Sequence, residues 1–145
     1  MSIKNLVIVI IFILFFSCGS NSRDITGEYE SFKPNFIEKI VINLKYKGYI
    51  QGTHINLKND STFVMSNCSM SSSGKWTLSN DTLLLYYETK KFHIDSLNNL
   101  KEWKKNLLIS KIPDKYIKTN NGFKKIYKNK NNTITIEKLA KKPDN

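Results

Sequence analysis

The sequence has 145 residues, of which 40% are hydrophobic and 24% are charged, and its formal net charge at pH 7 is +11. A chain of this length can form one domain with a hydrophobic core, but it is too short for two such domains. Arg23 is its single arginine, which disfavours nucleic acid as a partner because bidentate contacts to phosphates and bases favour arginine over lysine.

The first element in chain order is an apolar run from Leu6 to Phe16, which follows Lys4. As a helix these eleven residues would span about 16 Å, whereas the hydrocarbon core of a bilayer is about 30 Å thick. A run this short, preceded by a basic residue, is typical of an export signal and not of a transmembrane helix. The sequence therefore predicts a signal peptide.

Ser17, Cys18 and Gly19 directly follow the apolar run. They resemble the lipobox of bacterial lipoproteins, in which a small residue precedes a cysteine that is acylated and then becomes the new amino terminus. The resemblance implies a signal peptide over residues 1–17, a palmitate-type lipid on Cys18 and a polar tether over residues 18–24. It also implies a membrane-anchored protein of the bacterial cell envelope, expected on the periplasm-facing side of the outer membrane.

The two cysteines, Cys18 and Cys68, allow two interpretations. If Cys18 carries a lipid, Cys68 has no partner for an internal disulfide. The alternative is a Cys18–Cys68 disulfide, which an oxidising compartment permits. We favour the lipid, since the disulfide does not explain why Cys18 directly follows the apolar run.

Residues 25–145 are expected to form a single domain that begins with three strands. Residues 24–32 are predicted as the first. Residues 37–47 are predicted as the second because apolar side chains recur at every other position, which is the period of a half-buried strand: Ile40, Ile42, Leu44 and Tyr46. After Gly48 the third strand places alternate residues on one face: Thr53, Ile55 and Leu57.

Three polar turns between apolar runs predict hairpins: Asn59-Asp60-Ser61, Asn80-Asp81-Thr82 and Asn121-Gly122. Asparagine, aspartate and glycine suit such turns because they tolerate left-handed backbone angles, and the first two also bond to their own backbone. The first two turns lie 21 residues apart in similar surroundings, which indicates successive hairpins of one meander.

The remaining segments add strands and one short helix. Residues 69–74 are predicted as a loop, and residues 75–78 as a strand with Trp76 and Leu78 pointing inward. Asp95 or Ser96 is suited to cap a short helix whose apolar residues recur at a spacing of three: Leu97, Leu100 and Trp103. Residues 133–139 alternate and are predicted as a final strand.

Together these segments predict a mainly β fold. About eight to ten short antiparallel strands with at most one short helix indicate a meander closed as a barrel or packed as a sandwich. The segments ITGEYES, LKNDSTF and SGKWTLSNDTLLL, within residues 25–87, are similar to the lipocalin-like pattern of small bacterial envelope lipoproteins. The resemblance implies a lipocalin-like barrel, for which Phe63, Trp76 and Leu78 are the candidate lining residues.

The sequence offers little support for an enzyme. His54 and His93 are the only histidines, and both fall at positions expected to face solvent. The chain contains no Gly-x-Ser-x-Gly elbow, no His-Glu-x-x-His pair and no glycine-rich phosphate loop. We therefore expect neither catalysis nor a cofactor.

A weak candidate for a metal site lies around Cys68. Met65, Cys68 and Met70 carry the soft sulfur ligands that suit Cu(I), with His54 as a further ligand. Strand alternation, however, places Met65 on the face opposite to the other two sulfurs. We therefore expect no metal, with Cys68 as a small buried hydrophobic side chain.

The charge is concentrated in the second half of the chain. Residues 18–88 have no net charge, whereas residues 89–145 contain fifteen lysines and five acids. The leading prediction is a non-enzymatic, lipid-anchored module that binds a small apolar or amphiphilic ligand at the barrel mouth. The alternative is an interaction or assembly lipoprotein whose basic half contacts an anionic envelope surface or a partner protein, through lysines such as Lys124, Lys125, Lys128 and Lys130.

Overall fold

The computed structural model describes residues 25–46, 48–128 and 131–143. The predicted signal peptide, the lipidation site Cys18 and the tether lie outside the described residues. The described residues form nine strands: β1 (Gly27–Ser31), β2 (Gly48–Ile50), β3 (His54–Leu57), β4 (Thr62–Ser66), β5 (Met70–Ser79), β6 (Thr82–Phe92), β7 (Asp114–Thr119), β8 (Gly122–Lys128) and β9 (Ile134–Lys141). They also form two α-helices, α1 (Phe36–Lys45) and α2 (Asp95–Asn99), and a 3-10 helix (Lys101–Leu107).

Eight of these strands close into an antiparallel barrel. Their order around the barrel is β1, β3, β4, β5, β6, β7, β8 and β9, and β9 pairs back to β1. The short strand β2 pairs in parallel with the other half of β9. The predicted mainly β fold is confirmed, and it is a barrel and not a sandwich, consistent with a lipocalin-like architecture.

The turn between β3 and β4 shows why its sequence predicts a hairpin. Asp60 Oδ1 accepts hydrogen bonds from the Thr62 N–H at 2.9 Å and from Thr62 Oγ1 at 2.6 Å. These hydrogen bonds lower the pKa of Asp60. Ser61 adopts a left-handed φ of 62°, which completes the reversal.

The other two predicted turns also join neighbouring strands. Asn80 adopts a left-handed φ of 53° between β5 and β6. Thr119 pairs with Gly122, so the β7–β8 loop consists of Asn120 and Asn121 and begins one residue earlier than expected. Gly122 has a φ of 156°, and a Cβ there would collide with the backbone carbonyl of Leu139.

The core fills the barrel with alternate residues of its strands, as period-two patterning requires. Its buried members are Ile25, Tyr29, Ile55, Leu57, Phe63, Leu83, Leu85, Tyr116, Phe123 and Leu139. The Tyr29 and Phe123 rings lie 5.0 Å apart between centroids, so the first and eighth strands meet inside the barrel. The interior is therefore a packed core and not a channel.

The prediction of a strand over residues 37–47 is wrong for residues 37–45, which belong to α1. Asn35 Oδ1 accepts a hydrogen bond from the Glu38 N–H, and Glu38 Oε2 accepts one from the Asn35 N–H, each at 2.9 Å. This reciprocal capping box satisfies backbone donors that a helix start leaves free. The apolar residues fit the helical period as well as they fit alternation, so the cap decides the conformation.

The prediction of a loop over residues 69–74 is also wrong from Met70 onward. Residues 70–74 belong to β5, which pairs with both β4 and β6. Their serines remain compatible with a strand because hydroxyls pair across it, as Ser73 Oγ and Thr89 Oγ1 do at 2.7 Å. Between Ser73 and Gly74 the register shifts by one residue, which leaves Glu88 of β6 unpaired as a β-bulge.

The helical content exceeds the single short helix expected. A short helix is present as predicted, but α2 begins at Asp95, so the prediction that Asp95 or Ser96 caps it is wrong; it ends at Asn99, before a 3-10 helix. Ile94 occupies the capping position without a side-chain hydrogen bond, which accounts for the short length. Trp103 packs edge-on against Phe92 with ring centroids 5.8 Å apart. Of the helices that the structure describes, none is long and apolar enough to cross a membrane.

Candidate functional site

One end of the barrel opens into a cavity of about 570 Å³, which we call the mouth cavity. It lies between the start of β1, the β5–β6 turn, the β7–β8 turn and the end of β9. Its lining residues are Ile25, Tyr29, Asp81, Lys118, Thr119, Asn120, Asn121, Gly122, Phe123 and Lys141.

The mouth cavity has an apolar floor and a polar rim. Ile25, Tyr29 and Phe123 form the floor, and all three are buried members of the core. The Tyr29 hydroxyl donates a hydrogen bond to the Ile25 carbonyl at 2.7 Å, so this polar group is satisfied within the floor. The rim consists of asparagines from the β7–β8 turn, Asp81 and two lysines. This combination suits a ligand with both an apolar and a polar part.

Strand register places both lysines on the inner face of the barrel. Lys118 is the cross-strand neighbour of Phe123, and Lys141 is the neighbour of Tyr29. Backbone hydrogen bonds fix their positions: the Lys118 N–H donates to the Asp81 carbonyl at 2.7 Å, and the Lys141 N–H donates to the Asn121 carbonyl at 3.0 Å. These two hydrogen bonds join β7 to the β5–β6 turn and β9 to the β7–β8 turn.

The electrostatic balance of the mouth cavity is positive. It contains two lysines, Lys118 and Lys141, and one acid, Asp81. Among the described residues, no carboxylate lies within ion-pair distance of Lys118. An anionic group entering the cavity would therefore meet a cation at the rim.

Beneath the floor the barrel contains a buried carboxylate, Glu137, which is only 1% exposed. It points inward from β9 about 13 Å from Lys141, at about 3.3 Å per residue. Tyr116 and Tyr127 donate hydrogen bonds to its Oε2 at 3.0 and 2.6 Å, and Thr53 donates a hydrogen bond to its Oε1. Three segments of the chain thus converge on the carboxylate that β9 carries.

A second polar group adjoins it. Lys125 Nζ lies 2.7 Å from Asp114 Oδ2, which also accepts a hydrogen bond from the Tyr87 hydroxyl at 2.9 Å. The ammonium lies 4.4 Å from the centroid of the Tyr127 ring and 5.3 Å from that of Tyr116, as in a cation–π cage. We call Glu137, Asp114, Lys125 and their hydrogen-bond partners the interior polar cluster.

Burial within this cluster changes the acidity of its tyrosines. Burial, and then the negative charge of Asp114, raise the pKa of Tyr87 well above its usual range. Burial likewise raises the pKa of Tyr116 and of Tyr127, with Glu137 contributing in both cases. The described residues include no buried side-chain nitrogen or oxygen that lacks a partner, so the cluster is complete without a ligand.

The three candidate lining residues all face the barrel interior. Phe63 is fully buried in the core, and Trp76 and Leu78 are partly buried against it. Trp76 Nε1 donates a hydrogen bond to the Lys58 carbonyl at 3.1 Å. None of the three lines the mouth cavity, so a ligand there would meet Phe123 and not these residues.

The weak metal candidates have separate neighbours. The Cys68 thiol is free and exposed in the β4–β5 turn, so the expectation that it is buried is wrong. Met70 pairs with Phe92 across β5 and β6, and His54 Nε2 lies 3.2 Å from Lys142 Nζ. In the part of the chain that the structure describes, no group of three or more His, Cys, Asp or Glu side chains is placed to hold a metal ion.

The four lysines named for the basic half do not form one surface. Lys124 and Lys128 share the outward face of β8, whereas Lys125 points inward to Asp114. Lys125 was therefore wrongly placed among surface lysines. Lys130 lies outside the described residues.

No protein-family model, no curated protein and no solved structure matches this chain. The sequence-based expectations missed Lys118 and Lys141, the two lysines of the mouth cavity. Both had a signal in strand alternation, since Lys118 shares a face with Tyr116, and Lys141 shares a face with Leu139.

Proposed function

We propose that this protein is a lipid-anchored β-barrel of the bacterial envelope that binds a small anionic amphiphile in its mouth cavity. The observation that carries the proposal is the pairing of an apolar floor, Ile25 and Phe123, with a lysine rim, Lys118 and Lys141. Its cavity of about 570 Å³ falls within the usual range of ligand sites, about 300–1,000 Å³.

The packing of the barrel limits how such a ligand binds. Phe63, Tyr116 and Phe123 are fully buried in the core, so an acyl chain has no channel through the barrel. The ligand's apolar part therefore contacts the floor near Phe123, while its anionic group stays at the rim. This position favours short or partly inserted amphiphiles over long chains held end to end.

A binding role fits the histidines better than catalysis does. His93 Nε2 lies 2.9 Å from the Asn67 carbonyl, and His54 lies next to Lys142, so neither lines the mouth cavity. The cavity offers Asp81, lysines and amides, which hold and orient a ligand. We therefore propose a binder that acts without chemistry on its ligand.

Replacing Lys118 with glutamine is expected to weaken anionic amphiphile binding about tenfold. A hydrogen bond to a charged group contributes about 1.5–3 kcal/mol, and about 1.4 kcal/mol corresponds to a factor of ten in affinity. The measurement is photocrosslinking of membranes that contain the full-length protein with a diazirine-labelled dodecanoate at a subsaturating concentration. The crosslinked peptides are then identified by mass spectrometry.

Lys115→Gln is the matched control, because Lys115 lies on the same strand but is exposed and pairs with Leu84 on the outer face. This variant should crosslink as the wild type does. Equal crosslinking by Lys118→Gln and wild type would contradict the proposal, as would crosslinks that map away from residues 118–123 and from the start of β1.

Cys18→Ala is expected to abolish incorporation of an alkyne-labelled palmitate when the gene is expressed in a bacterial host. The lipobox resemblance places the acyl chains on this cysteine, so alanine removes the attachment site. Two or more acyl chains give stable anchoring, whereas one gives weak, reversible binding. The control is Cys68→Ala, which should incorporate label as the wild type does because Cys68 belongs to the β4–β5 turn. An unlabelled wild type would instead favour the disulfide alternative.

A further inference from the structure

Helix α1 exposes an apolar face that nothing in the described structure covers. Leu44 is 85% exposed, Phe36 is 77% exposed and Ile37 is 71% exposed, and Ile40 and Val41 are exposed beside them. Only Ile42 of this helix is buried. Single exposed apolar residues are ordinary, but a contiguous group of five on one helix face marks a contact surface.

The arrangement of α1 is that of an interfacial helix. At about 100° per residue, the five apolar side chains fall within an arc about 140° wide. Lys39 and Lys45 lie beyond the two edges of this arc, and both are exposed. Lysines in these positions extend their ammonium groups toward lipid headgroups while the apolar arc enters the acyl boundary.

The barrel surface beside α1 carries the matching positive charge. Glu38 of α1 and Lys138 of β9 line the same small cavity, so the first turn of the helix lies near Lys138. On the adjoining strand β8, Lys124 and Lys128 also face outward. Between them Ile126 is exposed, so the sheet continues the mixture of lysine and apolar side chains found on α1.

The position of the chain's entry into the barrel also favours a membrane. Cys18 and Ile25 are seven positions apart in the sequence, and an extended chain of this length spans at most about 25 Å. Ile25 lines the mouth cavity, which shares Thr119 and Asn121 with the cavity beside Glu38. A lipid on Cys18 would therefore hold α1 close to the bilayer surface.

We infer that the exposed face of α1, with the lysines of β8 and β9 beside it, docks on the surface of an anionic lipid bilayer. The inference rests on the proposed Cys18 anchor for its geometry. Apolar side chains of α1 enter the headgroup boundary, and the surrounding lysines contact anionic headgroups. The barrel thus lies against the membrane on this side and does not extend freely from its tether.

The test is hydrogen–deuterium exchange of the full-length protein on phosphatidylcholine vesicles that contain phosphatidylglycerol. Amides of residues 36–45 should exchange on the order of tenfold more slowly than on vesicles of phosphatidylcholine alone. The paired variant Ile37→Gln with Leu44→Gln should lose this protection. Glutamine is a good helix former, so α1 itself is expected to persist, which circular dichroism checks.

A matched control carries the same chemical change elsewhere. Leu108 and Ile112 are as exposed as Ile37 and Leu44, but they lie in the connection before β7. Leu108→Gln with Ile112→Gln should keep the protection of α1. The docking is overturned if α1 is not protected on anionic vesicles. It is also overturned if, without any vesicles, protection of α1 grows with protein concentration, because a second copy of the protein would then cover the face.

The exchange experiment and the palmitate experiment test the docking and the Cys18 anchor separately. The palmitate experiment tests Cys18 alone, whereas exchange at residues 36–45 reports only on α1. Protection of α1 on anionic vesicles without label on Cys18 would support the docking and reject the anchor. Label on Cys18 without protection of α1 would support the anchor and reject the docking.

Discussion

Glu137→Ala is expected to lower the free energy of unfolding by about 4 kcal/mol, measured by urea denaturation. The substitution removes the acceptor of three hydroxyl donors, Tyr116, Tyr127 and Thr53. A buried donor left without a partner costs about 1–3 kcal/mol, and the cavity left by the side chain adds to this. The effect is a large fraction of the total stability of a small domain, which is about 5–15 kcal/mol.

Two further variants separate the hydrogen bonds from the volume and the charge. Glu137→Gln keeps the size and one acceptor oxygen, so its cost should be clearly smaller than that of alanine. Glu88→Ala removes an exposed carboxylate 3.9 Å from Lys75, and such surface pairs contribute about 0–1 kcal/mol. If Glu137→Ala were no more destabilising than Glu88→Ala, the interior polar cluster would not stabilise the barrel.

Raising the pH above 10 is expected to unfold the barrel cooperatively, at about pH 12 for a total stability of about 5 kcal/mol. In the unfolded chain a tyrosine loses its proton near pH 10, whereas burial raises the pKa of Tyr87 and Tyr116 in the folded state. Above pH 10 the unfolded state therefore binds fewer protons than the folded state, and stability falls as pH rises. These two groups together contribute about 3 kcal/mol per pH unit.

Two signals recorded on one sample check this expectation. Tyrosinate absorbance reports ionisation, and far-ultraviolet circular dichroism reports the strands. Burial, followed by the charges of Glu137 and Glu38, raises the pKa of Tyr49 to about 12, so Tyr49, like Tyr87 and Tyr116, ionises well above pH 10. The late part of the tyrosinate signal should rise together with the loss of dichroism. Complete ionisation near pH 10 with intact strands would contradict the assigned burial of these tyrosines.

The sequence was sufficient to predict strands and hairpins wherever turn chemistry and alternation agreed, but it left open whether they form a barrel or a sandwich. Asp60 and Asn80 mark turns that the structure contains, because their side chains or backbone angles determine the reversal locally. Ile55 and Leu57 are buried as their alternation predicts. These features depend on neighbours only a few residues away, which is why one sequence reveals them.

Helix α1 could not be predicted from periodicity alone. Apolar residues in this segment recur both at every second position and at helical spacing, so the two templates fit equally well. The deciding signal was the Asn35-x-x-Glu38 capping box, which is present in the sequence. The exposure of its apolar face had no sequence signal, because a core helix and an interfacial helix share the same pattern.

The interior polar cluster depends on long-range register and was missed for that reason. In β9 the isoleucines suggest that Ile134 and Ile136 face the core, but Glu137 and Leu139 point inward. Ile136 is buried on the outer side, where it pairs with Tyr49 of β2. The pairing of Lys125 with Glu137 across β8 and β9 places the Lys125–Asp114 pair beside the buried carboxylate.

The closure of the barrel by its last strand has a consequence for how the chain folds. β9 pairs with β1 through Tyr29 and Lys141, residues more than a hundred positions apart, and also with β2. Contacts of such long sequence separation form slowly because the loop-closure entropy must be overcome first. The barrel can therefore close only after residues 134–141 have been synthesised, so a chain that lacks them would be left with β1 and β8 as open edges and with an incompletely packed interior from which Glu137 is missing.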